Sequence, residues 1–162
     1  MLPMRRTTTR RKMPVQTSTT YDKDFLTWTE EQAALLRAGN FAEADIGHII
    51  EEIEEMGREQ KIKLQSLLRQ ILVHLLKLDL SPSPNPRLEW LEEVSEFRAQ
   101  AESRIEEIPS LKAVTNDLFQ RAWPQVRKIA GKSFEAHGES HSIPNDCPHS
   151  LQQVLDPDFL PD

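Results

Sequence analysis

From Glu43 to Leu80 the chain contains no proline, and its apolar residues recur in steps of three and four. Ile46, Ile49, Ile50, Ile53 and Met56 form the first part of the row. Ile62, Leu64, Leu67, Leu68, Ile71, Leu72, Leu75, Leu76 and Leu78 form the second. That spacing places one side chain per turn on a single helical face. It predicts a helix from Ala44 to about Asp79. Gly57 lies inside the pattern, but glycine costs only about 1 kcal/mol relative to alanine in a helix. A continuous or gently kinked helix is therefore expected, with the isoleucine row buried. A helix of that length needs other helices to cover it, so this row constrains the fold more than any other feature.

The flanking segments carry the same period. Asp22 or Asp24 can cap a helix with Phe25, Trp28, Leu35 and Leu36 inward, and Gly39 suits its end. "SPSPNPR" at 81–87 has three prolines within five residues and cannot be helix interior. A third helix is expected from about Leu88 to Glu107, with Leu88, Leu91, Val94, Phe97, Ala101, Ile105 and Ile108 inward. Ser110 is a candidate cap for a fourth helix that carries Leu111, Val114, Leu118, Ala122 and Val126. Pro124 should kink that helix. After a polar loop, Ser150 can cap the short "LQQVL" helix, and the tail to Leu160 should dock on the body. No alternating strand pattern stands out. The expected fold is all-α: an antiparallel bundle of about four principal helices with a docked C-terminal tail.

The charge is unevenly distributed. Residues 1–20 contain Arg5, Arg6, Arg10, Arg11 and Lys12 and no acid. The chain has 20 bases and 26 acids, so the body holds 15 bases against 26 acids, a net charge of −11. The expected organisation is a basic, Thr/Arg-rich disordered arm at 1–20 and a single helical domain at 21–162. The one cysteine, Cys147, excludes an internal disulfide framework and fits a reducing cytosol. The apolar cluster from Ile71 to Leu80 is interrupted by His74, Lys77 and Asp79, so no membrane span is expected.

"HIIEEIEEMG" at 48–57 is the stretch most suggestive of chemistry. On a helix, His48, Glu51, Glu52 and Glu55 share one face, as metal ligands in helical bundles do. The order is His-x-x-Glu and appears once, whereas a dinuclear bundle site needs a second ligand helix. These four are candidate metal ligands, but the favoured reading is a solvated carboxylate flank beside buried isoleucines. His74 sits near the core face and is expected to make a buried polar contact. Lys77 beside it is a candidate partner for Asp22 or Asp24. His137, His141, His149 and Cys147 read as incidental loop residues rather than a zinc site. Trp28, Trp90 and Trp123 read as core. No glycine-rich phosphate loop is present, and no catalytic residue or cofactor is expected.

Four stretches carry a likeness beyond the helical pattern. They are "YDKDFLTWTEEQAALLRAGNFAEADIGHIIEEIEEMG" at 21–57, "HLLK" at 74–77, "PSL" at 109–111 and "CPHSLQQVLDPDFLP" at 147–161. Together they resemble the bacterial domain-of-unknown-function family twenty-nine (DUF29) over about residues 21–161. Leu78 stands where members often carry tryptophan, and "SPSPNP" replaces a linker that is often more basic. The resemblance implies a compact helical domain. It brings no established activity, substrate or cofactor, and hence no residue roles.

The expected function is therefore that of a small cytoplasmic interaction protein, an adaptor or a neutralising partner for another protein. Self-association into a homo-oligomer is compatible with its long amphipathic helices. Two alternatives follow from the charge pattern. The basic arm could make weak, salt-sensitive contact with nucleic acid. The glutamate row could support a metal-dependent enzyme.

Overall fold

The computed structural model describes residues 20–82 and 86–161. Arg5, Arg6, Arg10, Arg11 and Lys12 lie outside the described residues, and so does the expectation of an arm at 1–20. Among the described residues six α-helices follow in order: α1 (Thr20–Lys23), α2 (Phe25–Arg37), α3 (Ile46–Leu80), α4 (Arg87–Glu107), α5 (Thr115–Ala136) and α6 (Leu151–Leu155). A 3-10 turn, Pro109–Ala113, precedes α5. Among the described residues there is no strand, so the fold is all-α with four long helices, α2 to α5.

The chain packs as two units, one up to Glu54 and one from Glu55 onward. Helix α3 belongs to both and runs through Gly57 as one element of 35 residues, about 52 Å long at 1.5 Å per residue.

In the first unit, Asp24 caps α2: its side chain accepts from the Thr27 amide at 3.0 Å and from the Thr27 hydroxyl at 2.8 Å. Gly39 follows the helix with φ +74°, a left-handed conformation that only glycine adopts without strain. Trp28 and Gln32 are the buried residues of α2. The Gln32 carboxamide accepts from the Asp45 amide at 2.7 Å and so fixes the start of α3. The isoleucine row does not follow the burial expected of it. Ile46, Ile50 and Ile53 are exposed, the last two at 51% and 63%. Helical period specifies a shared face, but not that anything covers it. Phe25 and Leu36, expected inward, are exposed too.

The second unit holds the main core. Leu64, Leu68, Ile71, Leu72, Leu75 and Leu76 of α3 pack with Val94 and Ala101 of α4 and with Phe119, Ala122, Val126 and Ala130 of α5. Residues in early α4 meet late α3, since the His74 imidazole pairs with Glu93 at 2.7 Å. Residues in late α4 meet early α3, since Arg104 donates to Gln60 at 2.9 Å. The two helices are therefore antiparallel. Pro124 lies inside α5, which continues through it. Thr115, rather than Ser110, stabilises the start of α5, donating from its hydroxyl to the Leu111 carbonyl at 2.8 Å. Leu88, expected inward, is exposed, while Met56 and Ile62 are exposed apolar residues of α3 within this unit.

The tail is docked. Ser150 and Gln153 cap α6 reciprocally, each side chain accepting from the other's amide, at 3.2 and 2.8 Å. Val154 is fully buried in the core. The Arg98 side chain, only 5% exposed, donates to three tail carbonyls: Val154 at 2.9 Å, Phe159 at 2.8 Å and Gln153 at 3.1 Å. A guanidinium placed at a helix C-terminus satisfies carbonyls that lack partners within the helix.

Candidate functional site

Two polar clusters stand out, one in each unit. The first is built on the opening turns of α3. Asp45 precedes the helix, and its side chain does two jobs. One oxygen accepts from the His48 amide at 3.4 Å, and the other faces the His48 ring Nδ1 at 2.5 Å. Tyr21 of α1 stacks on the His48 ring, with centroids 4.0 Å apart and planes 16° from parallel. The Tyr21 hydroxyl donates to Glu52 at 2.6 Å. Trp28 meets both rings edge-on, at 4.9 Å from Tyr21 and 6.3 Å from His48.

Each ionisable group responds to these neighbours. The hydrogen bond to Asp45 raises the His48 pKa; partial burial opposes this, while the negative charges of Asp45, Glu51 and Asp22 add to it. Burial pushes the Asp45 carboxyl up, but the hydrogen bonds from the His48 ring and amide outweigh it, so the group lies below its ordinary range. The buried Trp28 indole N–H falls outside hydrogen-bonding geometry and adds a weaker favourable interaction with the same carboxylate. Donation to Glu52, helped by burial and by the nearby carboxylates, pushes the Tyr21 phenol up to about 12.

This arrangement separates the sequence-predicted row. His48 is engaged by Asp45, Glu52 by Tyr21, and Glu55 by Arg58. Glu51 makes no hydrogen bond or ion pair with a described residue, and it faces solvent. Among the described residues no group of three or more histidine, cysteine, aspartate or glutamate side chains is placed to hold a metal ion. What the cluster can do chemically is hold a proton between Asp45 and His48 and anchor α1 on α3. The Asp45–His48 pair has i, i+3 spacing, a local pattern that the sequence carries. Tyr21 had no local signal, because its partners are 27 and 31 residues away.

The second cluster gathers at the C-terminal end of α3. The His74 Nδ1 donates to the Gln70 carbonyl at 2.8 Å, and Nε2 faces Glu93 at 2.7 Å, so both ring nitrogens have acceptors. Lys77 lies over the Trp90 ring at 5.4 Å, a cation–π contact, and Asp24 is occupied in capping α2. Two residues after Lys77, Asp79 pairs with His149 at 2.7 Å; the His149 ring is buried edge-on against Phe159 at 5.5 Å. Ser81 donates to Glu139 at 2.8 Å, and His141 pairs with the other Glu139 oxygen at 2.9 Å. Those contacts, His141 first and then Ser81, hold the Glu139 carboxyl below its ordinary range. In a hydrolase triad the histidine bridges serine and carboxylate; here the Glu139 carboxylate lies between Ser81 and His141.

His141 and His149 are therefore structural ties rather than incidental loop residues. Each pins the segment after α5, and the sequence separation of His149 from Asp79 hid that pairing. Cys147 is half-buried, and desolvation raises its thiol pKa, the opposite of an activated nucleophile. Trp123 is buried and donates to the Asn145 carbonyl at 2.7 Å, another tie to the same segment. Among the described residues no helix is long and apolar enough to cross a membrane.

Neither the curated proteins nor the solved structures include a significant match to the chain. The family model described as Domain of unknown function DUF29 matches residues 20–160, and the chain belongs to that family.

Proposed function

We propose that the protein is a bacterial, cytoplasmic protein–protein interaction module whose first unit presents an acidic docking face centred on Ile50 and Ile53. The observation that carries this reading is the exposure of an isoleucine row on an ordered helix. Ile46, Ile50 and Ile53 lie on one face by their spacing, and the last two are more than half exposed. Apolar rows rimmed by charge on small proteins mark interaction sites. Covering Ile50 and Ile53 supplies on the order of 1 kcal/mol each at the usual coefficient for buried apolar area. The polar clusters support the same reading, because each is engaged internally and ties one segment of the fold to another.

The test is affinity capture from native-host lysate, with nuclease, using wild type and an Ile50→Ser/Ile53→Ser variant of equal melting temperature. A stoichiometric protein retained by wild type and lost by the variant supports the reading. Equal retention by both refutes the role of this face. Capture that disappears with nuclease transfers the function to nucleic acid.

A further inference from the structure

Resting on that docking reading, we infer that the partner is a basic amphipathic α-helix of another protein, laid lengthwise in an apolar groove between α2 and α3.

A second exposed row lies beside the isoleucines. Helices α2 and α3 meet where Trp28 stands edge-on to His48 at 6.3 Å and where the Gln32 carboxamide accepts from the Asp45 amide at 2.7 Å, so they run antiparallel. At about 100° per residue, Phe25 and Leu36 stand roughly 40–60° to one side of the buried Trp28 and Gln32. Ile46 and Ile53 stand roughly 100–130° from the contact side of α3 in the same rotational sense, and Ile50 stands a little beyond them. In an antiparallel pair, offsets of one sense fall on one side of the pair. Phe25, Leu36, Ile46, Ile50 and Ile53 therefore line the same side of the hairpin, and all five are exposed. Phe25 is held in place by stacking on Trp28 at 5.6 Å. An apolar groove between packed helices receives the apolar face of an amphipathic helix. From Phe25 to Leu36 the groove is about 16 Å long, which matches three turns of such a helix.

Charge selects the kind of helix. Residues 20–54 hold nine acids and two bases, a net charge of −7 with histidine neutral. Glu30 on α2 and Glu54 on α3 lie outside the two rows, exposed, and neither pairs with a base among the described residues. A helix seated in the groove turns its flanks toward those carboxylates, so lysine or arginine on each flank meets an unpaired acid. A second copy of this unit would instead set −7 against −7.

Synthetic peptides test the assignment by calorimetry on the full chain. One is a helix of about eighteen residues with leucine at heptad a and d positions and lysine or arginine on both flanks. The others are its counterpart with glutamate flanks and a scramble of the basic peptide that breaks the apolar stripe. The basic helix binds at low salt, the scramble about tenfold more weakly, and the glutamate helix more weakly still. Binding of the basic helix weakens toward roughly 1 M salt, where charges are screened beyond about 3 Å. Ile50→Ser/Ile53→Ser changes side chains that are already exposed, and it weakens the basic helix by about tenfold or more. Glu30→Lys/Glu54→Lys weakens it at low salt. Equal binding of the basic and glutamate helices overturns the inference, as does unchanged affinity in either variant or no binding of the basic helix. Dimerisation that rises with protein concentration and is lost in Ile50→Ser/Ile53→Ser overturns it in favour of a second copy. If the lysate partner still depends on Ile50 and Ile53 while the basic helix neither binds nor displaces it, the docking face stands and only this partner chemistry falls.

Discussion

Removing the Arg98 guanidinium should release the tail. Its three donor groups meet the carbonyls of Gln153, Val154 and Phe159 at 3.1, 2.9 and 2.8 Å, with the side chain almost wholly buried. Burial lowers the guanidinium pKa, opposed by the Asp156 charge, but arginine stays protonated, so all three bonds are charge-assisted. Hydrogen bonds to charged groups contribute about 1.5–3 kcal/mol each. Taking the low end for three, and allowing water to rehydrate part of the released surface, Arg98→Ala costs about 3 kcal/mol. For a domain of this size each kcal/mol moves the melting temperature by roughly 2–4 °C, so a fall of about 6–12 °C is expected. Arg98→Lys keeps the charge but not the planar fork and should recover less than half of the loss. Hydrogen exchange supplies the local measurement, with amides of α6 losing protection before those of α3 to α5. A melting temperature within about 2 °C of wild type, with α6 still protected, would refute the argument that this side chain holds the tail.

The remaining perturbations concern the histidines. The raised His48 pKa stabilises the fold below the ordinary histidine value of about 6.5, and this contribution disappears as pH rises through the folded-state value. The lowered Asp45 pKa acts in the opposite sense, contributing above about 3.8 and failing as pH falls through the folded-state value. Docking of α1 should therefore be strongest between about pH 4 and 6.5 and weaken above that range. Tyr21 and Trp28 fluorescence should report the change, and an Asp45→Asn variant that titrates identically would exclude the pair as its source. His74→Leu should lose about 1 kcal/mol, because two hydrogen bonds disappear while Glu93, substantially exposed, is readily rehydrated. An unchanged or raised melting temperature would mean the polar contacts at His74 contribute nothing net.

Local chemistry made much of this fold legible. The 3-4 spacing located α3 and α4, the proline cluster located their break, and Ser150 announced the α6 cap. Coverage was not legible. The Ile46–Ile53 row and the Leu64–Leu76 row have the same helical period, yet Ile46, Ile50 and Ile53 are exposed while Leu64, Leu68, Ile71, Leu72, Leu75 and Leu76 are buried. Only the partner helices distinguish them, and those come from far along the chain. The polar sites divide in the same way. Asp45 and His48 meet within one turn, whereas Asp79 and His149 meet across 70 residues and Tyr21 reaches Glu52 across 31. Arg98 read as one more charge on an amphipathic helix. Its burial depends on the tail folding back over it, which no spacing rule encodes.

The glutamates of the 48–57 stretch acquire a different significance once their isoleucines are known to be exposed. During synthesis this row leaves the ribosome before the leucines that build the main core, and it has no cover of its own. Exposed β-branched residues at that stage invite aggregation between nascent chains. Glu51, Glu52, Glu54 and Glu55 interrupt the apolar residues so that no more than two occur in succession. Carboxylates at such positions act as gatekeepers: they keep neighbouring chains apart by repulsion and bias the segment toward helix rather than intermolecular strand. A carboxylate row that resembles half of a metal site thus has a physical task at every moment of the protein's life before anything docks on it.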